Sequence, residues 1–250
     1  MKATLATLLL GSTFSMAMAP FAHGATSIND AGFSLSLSSS ENPDFDMELI
    51  STNGGNQYTI GLHGAETAAL AVESDGAGGT DARWSYNRSR FNLEVTPGYF
   101  IHNLSLEVSY TGKIAAELPT PCTSSCEATD YAYSQANVGW AMTRGSTTTA
   151  LPGGSVFYVD GTVTTRYVAP QSYVTDFDIA LMMDAAVNAR RTLLDVNDWG
   201  TPHYGTSTAE LQMRDVRLIM TVSQVPEPAT YAMLLAGLAL VGAGVRRRRG

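Results

Sequence analysis

Few residues in this chain have types and spacings that could do chemistry, and each also has a plain structural reading. Cys122 and Cys126 are the two cysteines, with three residues between them in a loop bounded by Pro119, Pro121 and Glu127. In an exported chain such a pair is expected to form a disulfide that pins its loop. Two thiolates with no histidine close in sequence do not complete a tetrahedral metal set, and redox catalysis calls for C-x-x-C on a helix. Beyond residue 24 the histidines are His63, His102 and His203, none in H-E-x-x-H or beside an acid at ligand spacing. No G-x-S-x-G elbow occurs: Gly145-Ser146 runs into threonines and Gly154-Ser155 into a strand pattern. A Ser-His-Asp triad assembles in space, which keeps a secreted hydrolase open as a function.

Among the carboxylates, Asp44, Asp46 and Glu48 alternate with Phe45, Met47 and Leu49. With Asp176 and Asp178 they read as the solvent faces of strands rather than a glycosidase pair. The Gly-rich loop from Glu73 to Asp81 has oxygen ligands for Ca²⁺ but lacks the D-x-[DN]-x-[DN]-G order of a dedicated loop. No cofactor is expected, Ca²⁺ in this loop being the alternative. Trp84 and Tyr86 share a strand face next to Arg83 and Arg88, and Tyr131 and Tyr133 share another; these four are the candidates for stacking on sugar rings. The competing assignment is core packing, where most aromatics of a sandwich lie.

Strand-type alternation dominates the elements that must position these residues. Phe33, Leu35 and Leu37 alternate with serines; Leu104, Leu106, Val108 and Tyr110 alternate with polar residues; Tyr173, Phe177, Ile179 and Leu181 share one parity. Further strands are expected at Phe45 to Ser51, Gln57 to Leu62, Phe91 to Val95, Val138 to Met142 and Val156 to Val168, about eight to ten in all. Asn53 to Asn56, Asp75 to Gly79, Pro152 to Gly154 and Asp160-Gly161 have turn chemistry. Ala180 to Leu194 reads either as a short helix or as a long strand running into a loop. In the last stretch Leu211 and Met213 are odd while Val216, Leu218, Met220 and Val222 are even, so a β-bulge near Arg214-Asp215 is needed to keep both sets inward. The expected fold is all-β, an antiparallel β-sandwich of jelly-roll type. The closing segment Ala209 to Leu218 resembles the last strand of carbohydrate-binding jelly rolls.

Both ends look like addresses. Lys2, an apolar run from Leu5 to Met18 and small residues up to Ala25 form a secretory signal peptide, with cleavage expected after Gly24. The run is shorter than the ~20 residues of a membrane span. At the other end Val225-Pro226-Glu227-Pro228 is followed by the apolar stretch Tyr231 to Val245 and by Arg246, Arg247, Arg248 and Arg249. The prolines keep the tetrapeptide extended and accessible to an enzyme. The apolar stretch makes a single short transmembrane helix, and the arginines hold its end in the cytoplasm. This divides the chain into a signal peptide (1–24), a body (25–224) and a C-terminal segment (225–250). The body holds 10 basic and 22 acidic residues, a net charge of −12, which argues against nucleic acid as a partner.

V-P-E-P, a short apolar helix and an arginine cluster, behind a signal peptide at the other end, resemble the PEP-CTERM sorting domain over residues 225 to 250. The resemblance implies recognition of Val225, Pro226, Glu227 and Pro228 by an exosortase, a membrane-embedded protease or transpeptidase of exopolysaccharide-producing Gram-negative bacteria. It implies an inner-membrane intermediate, anchored by the C-terminal helix before processing, and then the cell surface or extracellular matrix. The expected function is that of a non-catalytic surface or matrix protein with no catalytic residues and no dedicated metal site. The alternatives are a carbohydrate-binding module for the exopolysaccharide, which predicts an exposed aromatic platform, and a secreted hydrolase, which predicts a deep polar cleft.

Overall fold

The computed structural model describes residues 25–74, 80–120, 126–169 and 175–225. The expected signal peptide, transmembrane helix and arginine cluster lie outside the described residues, as do Tyr173 and the middle of the Glu73–Asp81 loop. Among the described residues no helix is long and apolar enough to cross a membrane.

In chain order the strands are β1 (Ser27–Asn29), β2 (Phe33–Ser40), β3 (Asp46–Asn53), β4 (Gln57–His63), β5 (Leu70–Ser74), β6 (Thr80–Val95), β7 (Tyr99–Ala116), β8 (Ala132–Arg144), β9 (Thr147–Phe157), β10 (Gly161–Val168), β11 (Phe177–Arg190), β12 (Thr192–Val196), β13 (Pro202–Gly205) and β14 (Ser207–Gln224). A single 3-10 turn, Ala128–Asp130, precedes β8. One sheet runs β1-β2-β6-β11-β8-β9 and the other β10-β7-β14-β4-β3, with β5 also on β14; β12 and β13 form a separate hairpin. All pairings are antiparallel. Phe91, Leu93, Ile179, Met183 and Val138 of the first sheet meet Ile60, Leu106, Tyr110, Leu211 and Leu218 of the second in one continuous core. Two antiparallel sheets packed face to face are thus established, and the jelly-roll subtype is a finer assignment than this strand order establishes.

Two expectations change, and one open choice falls to the strand. Ala180 to Leu194 is not helical: β11 buries Leu181, Met183, Ala185, Val187 and Ala189 at every second position, and β12 begins at Thr192. The strand alternative holds because β11 is paired along both edges, with β6 and with β8. Pro152-Gly153-Gly154 is no turn but lies inside β9, where the register with β8 slips between Val138 and Trp140. Because β9 is an edge strand, a proline and a bulge are tolerated there. The expected single strand from Val156 to Val168 is broken, since β9 belongs to one sheet and β10 to the other. The corner uses positive φ at Tyr158 (52°) and Gly161 (90°). It is held by Tyr158 and Val159 N–H groups donating to the Ser134 carbonyl (2.8 Å) and Oγ (2.9 Å).

The bulge expected in the last strand is present. The β14–β7 register shifts between Arg214 and Arg217, Asp215 takes φ 47°, and Leu211, Met213, Val216, Leu218, Met220 and Val222 are all buried. A second shift, between Ile219 and Thr221, restores the original register. It falls opposite Asn103 of β7, at φ 55°. Each strand contributes one extra residue, at an Asn or an Asp, the types that best tolerate the left-handed region.

Two predictions follow from this architecture. Deleting Asp215 turns Leu211 and Met213 to solvent, so the variant is expected to lose cooperative urea unfolding, while Asp215→Gly stays within about 1 kcal/mol of the parent; a deletion variant as stable as the parent contradicts the assignment. The second concerns alkaline pH. Burial, then the hydrogen bond to Asp30 (2.8 Å), push the Tyr58 phenol up to about 12, and burial, then the hydroxyl of Tyr167, hold Tyr110 higher still. The folded state therefore retains protons that the unfolded chain releases from about pH 10. Their contribution is complete below that pH and is lost as pH rises through the folded values. Urea-unfolding free energy is expected to decline above about pH 10, and less steeply in Tyr58→Phe; an identical slope in that variant removes Tyr58 from the account.

Candidate functional site

Two regions concentrate the residues of interest: the junction between β14 and the C-terminal tail, and the outer face of the first sheet. At the junction β14 stays paired with β7 to its last residue, Gln224 opposite Tyr99. Gln224 Nε2 donates to the Tyr99 hydroxyl (3.1 Å), and the Val225 N–H donates to the Gly98 carbonyl (2.8 Å). Val225 is therefore tied to the folded body with its side chain exposed. Pro226, Glu227, Pro228 and Arg246 to Arg249 lie outside the described residues.

Residues 224–249 match the family described as the PEP-CTERM protein-sorting motif. The chain carries a PEP-CTERM sorting tail. The tail implies export, a membrane-anchored intermediate and processing by an exosortase. No curated protein matches the chain. Seen with the geometry above, the sorting motif begins at the last paired residue of a central strand, with no spacer between the body and V-P-E-P.

The outer face of the first sheet gathers the aromatic candidates. On β6 the outward residues are Trp84, Tyr86, Arg88 and Arg90, because Asn87, Ser89 and Phe91 turn inward. Trp84 is 72% exposed and Tyr86 50%. Their rings stack on each other at 5.5 Å and 12°, and the Arg88 guanidinium caps Tyr86 at 5.8 Å. This is an upright stack rather than the flat platform expected of a sugar-binding face; the outer face of Trp84 is left free of it. Tyr133 was expected on another face but shares this one. It lies opposite Asn188 of β11, which pairs with Ala82 of β6. Its ring meets Tyr158 edge-on at 5.2 Å, and burial pushes its hydroxyl upward in pKa. Tyr131 sits at the entry to β8 under the Arg190 guanidinium at 5.5 Å.

Sequence reasoning missed the polar chain between the two aromatic groups. The Tyr133 hydroxyl donates to Gln135 Oε1. Gln135 Nε2 donates to Asn137 Oδ1 (2.9 Å) and Asn137 Nδ2 to Asp184 Oδ1 (2.5 Å). Outward parity on β8 identifies Gln135 and Asn137, but the link to Asp184 exists only through the pairing of β8 with β11. Phe157, half exposed beside Tyr133, was missed too.

The remaining candidates have local partners. Asp176 accepts the Val95 N–H (2.7 Å) and Asp178 accepts from Asn92 (3.1 Å). Glu48 faces His63 (3.1 Å). His102 is the histidine that meets a serine among the described residues, Nε2 to Ser223 Oγ at 2.9 Å, with the Asn103 amide nitrogen 3.1 Å from its Nδ1. The group beside its second ring nitrogen is thus an amide, where a Ser-His-Asp triad requires a carboxylate. No three His, Cys, Asp or Glu side chains among the described residues stand close enough to hold a metal ion. Cys122 lies outside the described residues, so the Cys122–Cys126 bridge stays an expectation.

Proposed function

We propose that this is a non-catalytic surface or matrix protein of an exopolysaccharide-producing Gram-negative bacterium: exported, held in the inner membrane by its tail, cut by an exosortase at or beside Val225–Pro228, and left outside as a folded sandwich whose Cys122–Cys126 disulfide pins one loop. The observation that carries the reading is the sorting motif at residues 224–249, joined without a spacer to β14. The partners held by Glu48, Asp176 and Asp178, and an amide rather than a carboxylate beside the second ring nitrogen of His102, support a body that works by binding or by presence rather than by turnover. A second reading, a carbohydrate-binding module, is favoured by the exposure of Trp84 and Tyr86; in this reading Tyr131 and Tyr133 line the far side of the same face.

Intact mass and cell fractionation of the native protein and of Glu227→Ala, in a host that has an exosortase, test the first reading. The native protein is expected to lose both ends, near Gly24 and near Pro226, and to leave the inner membrane; the variant is expected to keep its tail and stay membrane-bound. An intact tail on the native protein overturns the proposal.

A further inference from the structure

The second reading names sugar as a ligand but not which kind, and the outer face of the first sheet carries the answer further. β6 places Arg83, Arg88 and Arg90 within eight residues that contain no carboxylate, in a body whose net charge is −12. Among the described residues neither Arg88 nor Arg90 has a carboxylate within 4.0 Å, the ion pairs being those of His63, His203 and Arg217. In so acidic a body, two adjacent outward arginines left without counter-ions form a local cationic patch.

Beside them the sheet is low. Arg88 pairs laterally with Met182 and then Gly139, and Arg90 with Ala180 and then Ala141. The small side chains leave a groove of about 420 Å³ with the arginines along one wall, within the rough 300–1,000 Å³ range of small-ligand sites. Its lining is mostly apolar, suited to the C–H faces of a sugar ring. Arg88 is oriented in advance by its seat on Tyr86, which rests on Trp84, so less side-chain freedom is lost when an anion binds. One strand over, the chain Gln135, Asn137, Asp184 presents amide and carboxylate groups to the same face, the donors and acceptors that hydroxyl groups require. Asp184, diagonal to Arg88 and next to Tyr86 in register, and Asp178, diagonal to Arg90 and held by Asn92, flank the arginines on this face; they favour a ligand that offers hydroxyls beside its negative charge.

We infer that the groove between β6 and β8 binds a carboxylate-bearing polysaccharide: Arg88 and Arg90 pair with uronate groups, Trp84 and Met182 lie against ring C–H faces, and the Asn137–Asp184 pair takes hydroxyls. The inference rests on the carbohydrate-binding reading and narrows it to an acidic glycan.

The test is affinity electrophoresis of the purified exported protein in gels containing polygalacturonate, a neutral glucan or dextran sulfate. Polygalacturonate is expected to retard the protein and the neutral glucan far less. Arg88→Ala with Arg90→Ala is expected to weaken retardation by roughly tenfold or more, as befits lost charge-assisted hydrogen bonds. Trp84→Ala is expected to weaken it severalfold, with both variants keeping the parent's thermal midpoint. If the neutral glucan retards the protein as strongly and the arginine variant is unaffected, the acidic class is wrong while the sugar reading survives. If no polysaccharide retards it, both fail. Equal retardation by dextran sulfate, indifferent to Trp84→Ala, reduces the groove to a charge patch and overturns the inference.

Discussion

The ladder between β7 and β14 is the interaction on which the rest of the molecule depends. It runs from Ser207 opposite Ala116 to Gln224 opposite Tyr99, and β14 is at the same time paired on its other edge, with β5 along its first half and β4 along its second. β14 therefore has partners on both edges over most of its length and contributes buried residues from Ala209 to Val222. The two bulges, at Asp215 on one strand and Asn103 on the other, allow this. An unmatched bulge would leave the far half of the pair displaced by one residue, with its apolar side chains facing water. Here the first shift is cancelled by the second, and both strands bury an unbroken row despite a change of parity in each.

The same ladder connects fold to destination. Because β14 ends at Gln224 and Val225 is bonded to Gly98, the sorting tail leaves from one fixed end of the sandwich. The opposite end, up to about 60 Å away for a strand of this length, carries the β12–β13 hairpin with Trp199 fully exposed at its turn. An enzyme acting on V-P-E-P works within a few residues of folded structure.

Much of this was legible in the residues, and what was not has a physical cause. The parity switch from Met213 to Val216 required a bulge, and one is there. The matching switch from Ile101 to Leu104 gives the same signal for Asn103, yet the alternation starting at Leu104 hides it unless Ile101 is counted. Strands of three to five residues, such as β1, β5 and β12, are too short for a period to declare itself. The Ala-rich centre of β11 imitates a helix because its neighbours, not its own side chains, supply the bulk. The candidate face was half visible: Trp84, Tyr86 and Arg88 lie on one strand and share a parity, whereas Asp184, Asn137 and Gly139 join them only through strand pairings between residues some fifty positions apart and more.

Hydrogen exchange followed by mass spectrometry on the processed protein most directly tests the claim that β14 organises the body and delivers the tail from its rigid end. Amides from Leu211 to Val225 are predicted to exchange as slowly as those from Leu104 to Tyr110. Rapid exchange over Leu218 to Gln224 while β7 stays protected would contradict it, and would mean that the sorting motif hangs from a frayed strand rather than from the core.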